Sequence, residues 1–487
     1  MKNKKLISLC CVMVLLFVFS VPASANSAAP YWEGTAANGV IVKEGDIPIE
    51  VESELLTFDI PTLPYASYQD VESFLKYDSK VTAEYTFFNP TDMTVKATLL
   101  FPFGEQPDYS KLVDSKTGES FVANELERYG VYVNGEKIEA KIRYTNTYYG
   151  SSEFNFDEHI AAMKDDFVTD DYYRKGLTVT KYSYEIKGNT QKDARFYIFI
   201  DSLGSESRVA INDPWCSAGF TASGGYQISK SFDERNKKLT VSFYVLGEPP
   251  AEAPSAGWYK RNHLEPYEKP FEKIDGEYSY LGSEEMTFND FIFSGYDKQS
   301  GISEVDWYNA CLSRIKACED TEGSLTSIGN ITFGSFMRWY EYELTFAPGE
   351  KIKNTVTAPI YPDIDAFNHV DEYRYTYLLS PASDWAKFGT LDIVVNTPYE
   401  MSNANIQGFE KTDSGYKLSR EGLPKEAEEY VDLHFTLLND GNTPLKQPHT
   451  NAFVRFLQNA VKTVVSAFLY VLLLIASIVD KIFDAFL

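Results

Sequence analysis

The chain has 487 residues, of which 24% are charged and 44% are hydrophobic. This composition excludes a wholly disordered chain, a collagen-like chain and a protein made mostly of membrane spans. At roughly 100–200 residues per domain, the length allows two or three folded units. Lys and Arg number 45 against 70 Asp and Glu, which gives a formal charge of −25. We therefore expect no nucleic-acid partner, because so acidic a chain is repelled by phosphates.

The N-terminus has the features of a secretory signal peptide. Lysines in the first five residues precede an uncharged stretch over 6–21. An Ala-x-Ala triplet ending at Ala25 supplies the small residues that a signal peptidase requires. We predict that residues 1–25 are a signal peptide and that cleavage occurs between Ala25 and Asn26.

Residues 46–57 alternate between apolar and acidic side chains. The apolar set is Ile47, Ile49, Val51 and Leu55, and the acidic set is Glu50, Glu52 and Glu54. A period of two predicts a half-buried strand whose glutamates all face solvent.

Further strands are predicted on both sides of short turns. Residues 80–103 alternate toward and away from a turn that begins at Asn89, and this pattern indicates a hairpin. Residues 131–142 indicate a second hairpin, because Asn134 and Gly135 form a two-residue turn signal. Strand-like alternation also occurs over 177–186, 194–200 and 239–246.

The second half of the exported part contains one predicted helix and then more strands. Ser303 is a candidate N-cap for a helix with an apolar stripe that ends near Cys318. Alternation returns after residue 331, for example over 373–379 and 430–438. We predict a β-rich domain at 26–247, a linker or loop at 248–257, a helical insert at 258–330 and a second β-rich domain at 331–440.

The predicted fold class is mainly β, with immunoglobulin-like antiparallel β-sandwich regions and a small helical insert. A single interleaved β domain is the alternative to two separate ones. The segments I-P-I-E-V-E-S-E-L-L-T-F-D-I over 47–60, V-T-A-E-Y-T-F-F-N-P over 81–90 and L-L-F-P-F over 99–103 resemble the opening of exported bacterial proteins of unknown function with an immunoglobulin-like β domain. The resemblance implies a surface-exposed β protein and carries no catalytic residue with it.

The C-terminus contains a second apolar segment. Residues 463–479 are 17 uncharged residues, or about 25 Å as a helix against a hydrocarbon core of about 30 Å. Lys462 and Lys481 flank the segment and can extend its reach to the two membrane surfaces. We predict a juxtamembrane segment at 441–462, a transmembrane helix at 463–479 and a short tail at 480–487. A helix lying on the membrane surface is the alternative.

Three cysteines remain after signal cleavage, namely Cys216, Cys311 and Cys318. The last two fall in the predicted helix, where a separation of seven residues is about 10.5 Å by rise and exceeds the reach of a disulfide. Any disulfide would therefore include Cys216, paired with either Cys311 or Cys318. The alternative is that all three are buried as small apolar residues.

The sequence contains few motifs that carry chemistry. No H-E-x-x-H, C-x-x-C or G-x-S-x-G pattern occurs, so we predict no catalytic residues and no bound organic cofactor. Asp363, Asp365, Asn368 and Asp371 lie in a predicted loop and are candidate calcium ligands, because calcium prefers several hard oxygens from one loop. A solvated acidic loop is the alternative.

These features predict an exported, membrane-anchored surface protein of unknown activity. We expect a non-enzymatic recognition or structural β protein that binds a protein or glycan outside the cell and is held at the membrane by its C-terminal helix. One alternative is an envelope hydrolase that uses carboxylate pairs on glycans or peptides. Another is a subunit of a membrane complex.

Overall fold

The structure, a computed structural model, shows a mainly β protein with several sheets and few helices. The predicted cleavage site at Ala25 and Asn26 and the predicted membrane segment with Lys462 and Lys481 lie outside the described residues. No helix within the described part has the length and apolar composition needed to cross a membrane. The described residues are 31–438 except 33–35, 39, 44–46, 64–77, 106–128, 147–155, 202, 212–215, 221–224, 235–236, 262–270, 299, 323–335, 368–369, 380–384 and 423–429.

The helices and strands have the following bounds. The first part contains β1 (Tyr31–Trp32), β2 (Ala36–Asn38), β3 (Ile41–Val42), β4 (Glu50–Asp59), β5 (Lys80–Phe88), β6 (Val95–Glu105), β7 (Gly130–Val133), β8 (Glu136–Ile138) and β9 (Lys141–Asn146). The middle part contains α1 (Phe156–Ala162), β10 (Thr178–Lys187), β11 (Ala194–Ile200), β12 (Arg208–Ile211), β13 (Cys216–Phe220), β14 (Tyr226–Lys230), β15 (Lys238–Leu246), β16 (Ser255–Arg261), β17 (Phe271–Ile274), β18 (Tyr278–Thr287), α2 (Phe288–Phe293) and α3 (Glu304–Glu322). The last part contains β19 (Phe336–Phe346), β20 (Lys351–Pro359), β21 (Asp363–Phe367), β22 (Val370–Leu378), β23 (Phe388–Asn396), β24 (Met401–Ala404), β25 (Glu410–Thr412), β26 (Gly415–Glu421) and β27 (Tyr430–Leu438).

Strands from the two ends of the chain share sheets and form one unit, which we name the split unit (residues 31–146 and 336–438). Its eight-stranded sheet has the order β25-β26-β23-β4-β5-β20-β7-β8, and its four-stranded sheet has the order β3-β6-β19-β9. Its six-stranded sheet runs β1-β21-β22-β27-β24, with β2 also on β22. The pairs β4–β23 and β2–β22 are parallel, and the other described pairs are antiparallel. Strands from both sides of the middle segment therefore share the same sheets.

The middle of the chain forms a second unit, which we name the inserted unit (residues 156–322). A four-stranded sheet, β12-β15-β10-β18, and a five-stranded sheet, β13-β14-β11-β16-β17, enclose a hydrophobic core. Helices α2 and α3 contribute to another core together with residues of the four-stranded sheet. The predicted boundaries differ from this arrangement: the segment 248–257 ends inside β16, and the region 258–330 contains β17 and β18 besides the helices.

The chain leaves the split unit after one strand and returns to it at the strand paired with that one. Strand β9 is the last strand before the insertion, β19 is the first strand after it, and the two pair with each other. Asn146 lies opposite Phe336 at the end of that ladder. The two chain crossings are therefore adjacent, which is the geometry that permits a domain insertion. Strand alternation carries no information about such a long-range pairing.

The predicted hairpin over residues 80–103 is an arch between two sheets. Strand β5 pairs with β4 and β20, whereas β6 pairs with β3 and β19. Strands β19 and β20 likewise belong to different sheets, so the two arches stack on each other. A local turn signal at Asn89 is the same for a hairpin and for an arch, and the sequence therefore predicted both strands but not their pairing.

Asn89 joins the turns of the two arches. Its Nδ2 donates to the carbonyl oxygens of Met93, Phe346 and Ala347 at 2.8, 3.1 and 3.0 Å. Its backbone N–H donates to the carbonyl of Glu350 at 3.0 Å. The side chain is fully buried, so these carbonyls depend on it for hydrogen bonds that water cannot replace.

A bulge in β4 places Glu54 in the core, so its predicted position in solvent was wrong. The pairing of β4 with β5 shifts register between Val51 and Ser53. Beyond the bulge, Glu54 shares the buried face with Leu56 and Phe58, and Leu55 is only half-buried. One extra residue reverses the side of every later side chain, because the side-chain period of a strand is two.

Several local predictions are confirmed. Asn134 and Gly135 both have positive φ, 50° and 90°, as a two-residue turn between β7 and β8 requires. The N–H of Asp306 donates to Oγ of Ser303 at 3.0 Å, which is the predicted N-cap of α3.

Arg143 forms a buried ion cluster where the two units meet. Its guanidinium lies 2.9 Å from the Asp306 carboxylate in α3 and 2.6 Å from the Glu341 carboxylate in β19. It also donates to the carbonyl of Lys164 at 2.7 Å. Burial lowers the pKa of Arg143, but the bonds and charges of Asp306 and Glu341 outweigh it and the pKa is raised. Lys43 adds a second cation 2.6 Å from Glu341.

We predict that Arg143→Met destabilises the protein by about 3–5 kcal/mol, because it leaves Asp306 buried without its cation. Urea unfolding followed by fluorescence measures this change. The matched control is Lys96→Met, which removes the cation of an exposed pair with Glu343 at 2.9 Å and should cost less than about 1 kcal/mol. Equal losses in both variants would contradict the prediction.

We predict that Asn89→Asp destabilises the protein by about 3 kcal/mol, since a carboxylate cannot donate to the carbonyls of either arch. The exposed Asn403→Asp introduces the same change in charge at the surface and should have little effect. Thermal unfolding of the two variants side by side gives the comparison. A melting temperature of Asn89→Asp that equals that of the control would refute the role of Asn89.

Candidate functional site

Strand β18 carries an exposed aromatic and aliphatic strip. Tyr278, Tyr280 and Leu281 are 41%, 44% and 55% exposed. The other large hydrophobic residues exposed in the described part are Met93 and Tyr430, which lie on the split unit. Contiguous exposed apolar side chains of this kind mark interaction sites more often than scattered ones do.

The strip is held at a sheet edge by aromatic contacts. Strand β18 is the last strand of its sheet, on β10. The ring of Tyr280 lies 5.1 Å from that of Tyr184, and the ring of Tyr278 lies 5.3 Å from that of Phe196. The hydroxyl of Tyr278 donates to the carbonyl of Ala256 at 2.7 Å. These contacts fix one side of each ring while the other side faces solvent.

A bulge interrupts the pairing of β18 with β10 beside the strip. Gly282 lies opposite Ser183 and Tyr280 opposite Tyr184, so Leu281 is the extra residue. Gly282 has a φ of 113°, which favours glycine. The bulge turns Leu281 outward and divides the outer edge of β18 into two short stretches.

The other end of β18 borders an acidic cleft of about 660 Å³. Glu285 of β18 and Thr178 of β10 line it, together with Asp171, Tyr172, Arg174, Gly176, Leu177, Glu206, Gly247, Glu248 and Pro249. Its carboxylates are exposed and lie on different segments of the chain. We name the strip and the cleft together the β18 surface.

Tyr172 forms the inner wall of the cleft. Its hydroxyl donates to the carbonyl of Glu206 and lies 3.2 Å from that of Leu246. Burial raises the pKa of this hydroxyl, so it remains a donor at neutral pH. Gly247 has a φ of 93°, and a Cβ there would lie 3.1 Å from the Tyr172 hydroxyl. The wall is therefore closely packed as well as hydrogen-bonded.

Side chains behind this wall attach it to α3. Glu319 pairs with Arg208 and accepts a hydrogen bond from the hydroxyl of Tyr173. The guanidinium of Arg208 lies 5.1 Å from the ring of Tyr172. Burial is the main cause that raises the pKa of Tyr173. The helix thus holds the back of the cleft in a fixed position.

The β18 surface suits a ligand that is extended and positively charged. The strip offers ring faces and an aliphatic side chain, which contact apolar or cationic groups. The cleft offers carboxylates, which attract cations, and this attraction weakens with added salt.

Asp363, Asp365 and Asp371 lie on one strand pair, with Asp371 on the opposite face from the other two. The predicted loop is the pair β21–β22, in which Asp363 pairs with Arg374 at 3.0 Å and Asp365 lies opposite Glu372. Asp371 points into the core on the other face of the pair and is 1% exposed. Asn368 lies outside the described residues. In the described part, no group of three or more His, Cys, Asp or Glu side chains is placed to hold a metal ion.

Cys216 and Cys311 are not among the residues that line the cleft. Cys216 packs beside the core between the two sheets of the inserted unit, whereas Cys311 lies on α3 and is buried in the core that this helix shares with the four-stranded sheet. Burial raises the pKa of the Cys311 thiol. Cys216 and Cys311 are not joined to each other, and nothing is described of the Cys318 side chain.

Sequence patterns did not predict the β18 surface. Strand β18 falls within residues 258–330, the range of the predicted helical insert. The signal that could have found the strand is the alternation of Tyr278 and Tyr280 before Gly282, since aromatic residues at a period of two favour strands. The cleft has no sequence signal, because it is assembled from separate segments.

Comparison with known proteins does not assign the chain to a family. No protein-family model matches the chain, and no curated protein matches it. A solved structure of a candidate nutrient-binding protein from Legionella pneumophila is similar at a TM-score of 0.29 and 10% identity, over 83% of this chain and 72% of that one. A TM-score that low establishes neither a shared fold nor a shared function.

We predict that Gly247→Ala destabilises the protein by about 1–2 kcal/mol, because a left-handed φ is unfavourable with a Cβ and the Cβ would press on Tyr172. Gly176→Ala is the matched control: it lines the same cleft, and its Cβ would meet nothing within 4 Å. Chemical denaturation distinguishes the two. Equal stability of both variants would show that Gly247 does not constrain the wall.

Proposed function

We propose that the chain is an exported, membrane-anchored β protein of a bacterial-type cell surface, and that its β18 surface binds an extended, positively charged polypeptide outside the cell. The observation that carries the binding proposal is the position of Tyr278, Tyr280 and Leu281 on an edge strand that continues into an acidic cleft. The activity is recognition without catalysis.

The export and anchoring parts of the proposal rest on the sequence. The uncharged stretch over 6–21 ends in an Ala-x-Ala triplet, and the uncharged segment over 463–479 lies between Lys462 and Lys481. A cleaved signal followed by one late span leaves the intervening residues outside the cell. The two-layer sheet arrangement of the inserted unit supports an immunoglobulin-like sandwich.

The proposed ligand follows from charge and edge geometry. An extended peptide can pair with the free stretch of an edge strand while its side chains occupy neighbouring sites. Basic side chains would meet Glu285, Glu206 and Glu248 at the cleft. The net charge of −25 disfavours an acidic ligand.

Cell fractionation tests the location. We expect the full chain to remain with membranes through high-salt and carbonate washes, and to be digested by protease added to intact cells or protoplasts. A version stopped after Thr450 should be released, because it lacks the segment over 463–479. A full chain that is recovered outside the cell without membranes would refute the anchor.

A binding measurement tests the surface separately. A labelled peptide of alternating Lys and Val should bind the full chain, and the double variant Glu206→Gln/Glu285→Gln should weaken binding about tenfold, or about 1.4 kcal/mol. Tyr280→Ser should also weaken it. Glu410→Gln is the control, since Glu410 is exposed on β25 of the split unit. Equal binding by all variants in a fluorescence anisotropy titration would exclude this surface.

A further inference from the structure

The core of the split unit contains an acidic side chain. Glu54 is 1% exposed and lies on the face of β4 that carries Leu56 and Phe58. A buried carboxyl group is costly when ionised unless a cation or several donors face it. The groups around Glu54 therefore determine whether its carboxyl is protonated or ionised.

The partners of Glu54 are tyrosine hydroxyls. The hydroxyl of Tyr377 donates to its Oε1 at 3.2 Å, and the hydroxyls of Tyr377 and Tyr85 are 3.1 Å apart. The backbone N–H of Val40 donates to the Tyr85 hydroxyl at 3.2 Å. Among the described residues, Oε2 of Glu54 has no hydrogen-bond partner.

This cluster connects three sheets. Glu54 and Tyr85 lie on β4 and β5 of the eight-stranded sheet, and Tyr377 lies on β22 of the six-stranded sheet. Val40 directly precedes β3 of the four-stranded sheet, and its carbonyl accepts a hydrogen bond from Nε1 of Trp385 at 3.2 Å. The contact among these sheets in the core thus includes one titratable carboxyl.

Among the residues that the structure describes, the groups that face Glu54 do not supply a positive charge. Tyr85 comes from β5 and Tyr377 from β22, and Tyr342 of β19 lies behind Tyr377, where it donates to Oδ1 of Asn354 at 2.8 Å. Burial raises the pKa of all three tyrosines, so they stay neutral. Burial also raises the pKa of Glu54 from 4.5 to about 7, although the nearby hydroxyls of Tyr85 and Tyr377 act in the opposite direction.

We propose that Glu54 is a proton-dependent clamp between the sheets of the split unit, closed when the carboxyl is protonated and loosened when it is ionised. A protonated Oε1 can donate to the Tyr377 oxygen, which leaves the Tyr377 hydrogen for Tyr85. An ionised carboxylate instead needs donors at both oxygens. The two hydroxyl hydrogens cannot serve both oxygens and also preserve the bond between Tyr85 and Tyr377.

The sign of the pH effect follows from proton binding. The pKa of Glu54 is higher in the folded state, about 7, than its ordinary 4.5. Its stabilising contribution is therefore complete below pH 4.5 and is lost as pH rises through about 7. Between about pH 5.5 and about pH 8.5, the equilibrium constant for opening should rise about 30-fold from this group.

Hydrogen exchange of the full chain tests the clamp. After correction for the intrinsic pH dependence of exchange, amides of β22 and of the residues around Val40 should lose about 30-fold in protection between about pH 5.5 and about pH 8.5. Glu54→Gln should remove this change, because its amide is neutral at both pH values. Glu52→Gln is the control on the same strand, since Glu52 forms a partly exposed pair with Lys351. Amides of β10 and β15 in the inserted unit provide an internal reference.

A second variant keeps the test decisive if Glu54→Gln does not fold. Tyr377→Phe preserves the ring and removes a hydrogen bond that lowers the pKa of Glu54, so the loss of protection should continue to a higher pH and become larger than in the unaltered chain. Unchanged protection of β22 across the pH range, or an equal pH response in Glu54→Gln, would overturn the proposal. Neither result bears on the β18 surface or on membrane anchoring.

Discussion

Arg143 lies where the two units of this protein meet, and its charge determines how they are joined. The four-stranded sheet β3-β6-β19-β9 faces the large core of the split unit on one side and the inserted unit on the other. Arg143 projects from that sheet to Asp306 of α3, while Glu341 of the neighbouring strand β19 completes its pairing. A buried cation without these carboxylates would be strongly unfavourable. The position of α3 on the sheet is therefore coupled to the pairing of β9 with β19.

This junction also fixes the parts of the inserted unit that carry the candidate site. Helix α3 carries Asp306 in its first turn, beside Arg143, and extends past Glu319, which pairs with Arg208 behind the acidic cleft. The same helix packs under the four-stranded sheet whose edge is β18. One rigid element thus links the ion cluster to the cleft wall. The β18 surface is therefore connected to the ion cluster through packed side chains.

The sequence predicted local structure well and pairing poorly, for a physical reason. Alternation identified β5, β6, β10, β22 and β27, and the turn at Asn134 and the cap at Ser303 were correct, because each depends on neighbouring residues. The stacking of arches through Asn89 depends on residues more than 250 positions apart. The candidate site was missed for the same reason, since its cleft is assembled from separate segments. Glu54 was misplaced by a one-residue bulge that alternation alone does not show.

Two of the buried charged residues, Arg143 and Glu54, have opposite surroundings. Arg143 is faced by carboxylates, which favour its charged form, so the contact it makes is insensitive to pH near neutrality. Glu54 is faced by hydroxyls that stay neutral, so its burial favours the uncharged form. The chain has 70 acidic residues, and an ionised carboxylate costs little free energy where it is exposed to water. The one that a bulge turns into the core acquires a different chemistry from its neighbours on the same strand, and that difference comes from the backbone rather than from the residue type.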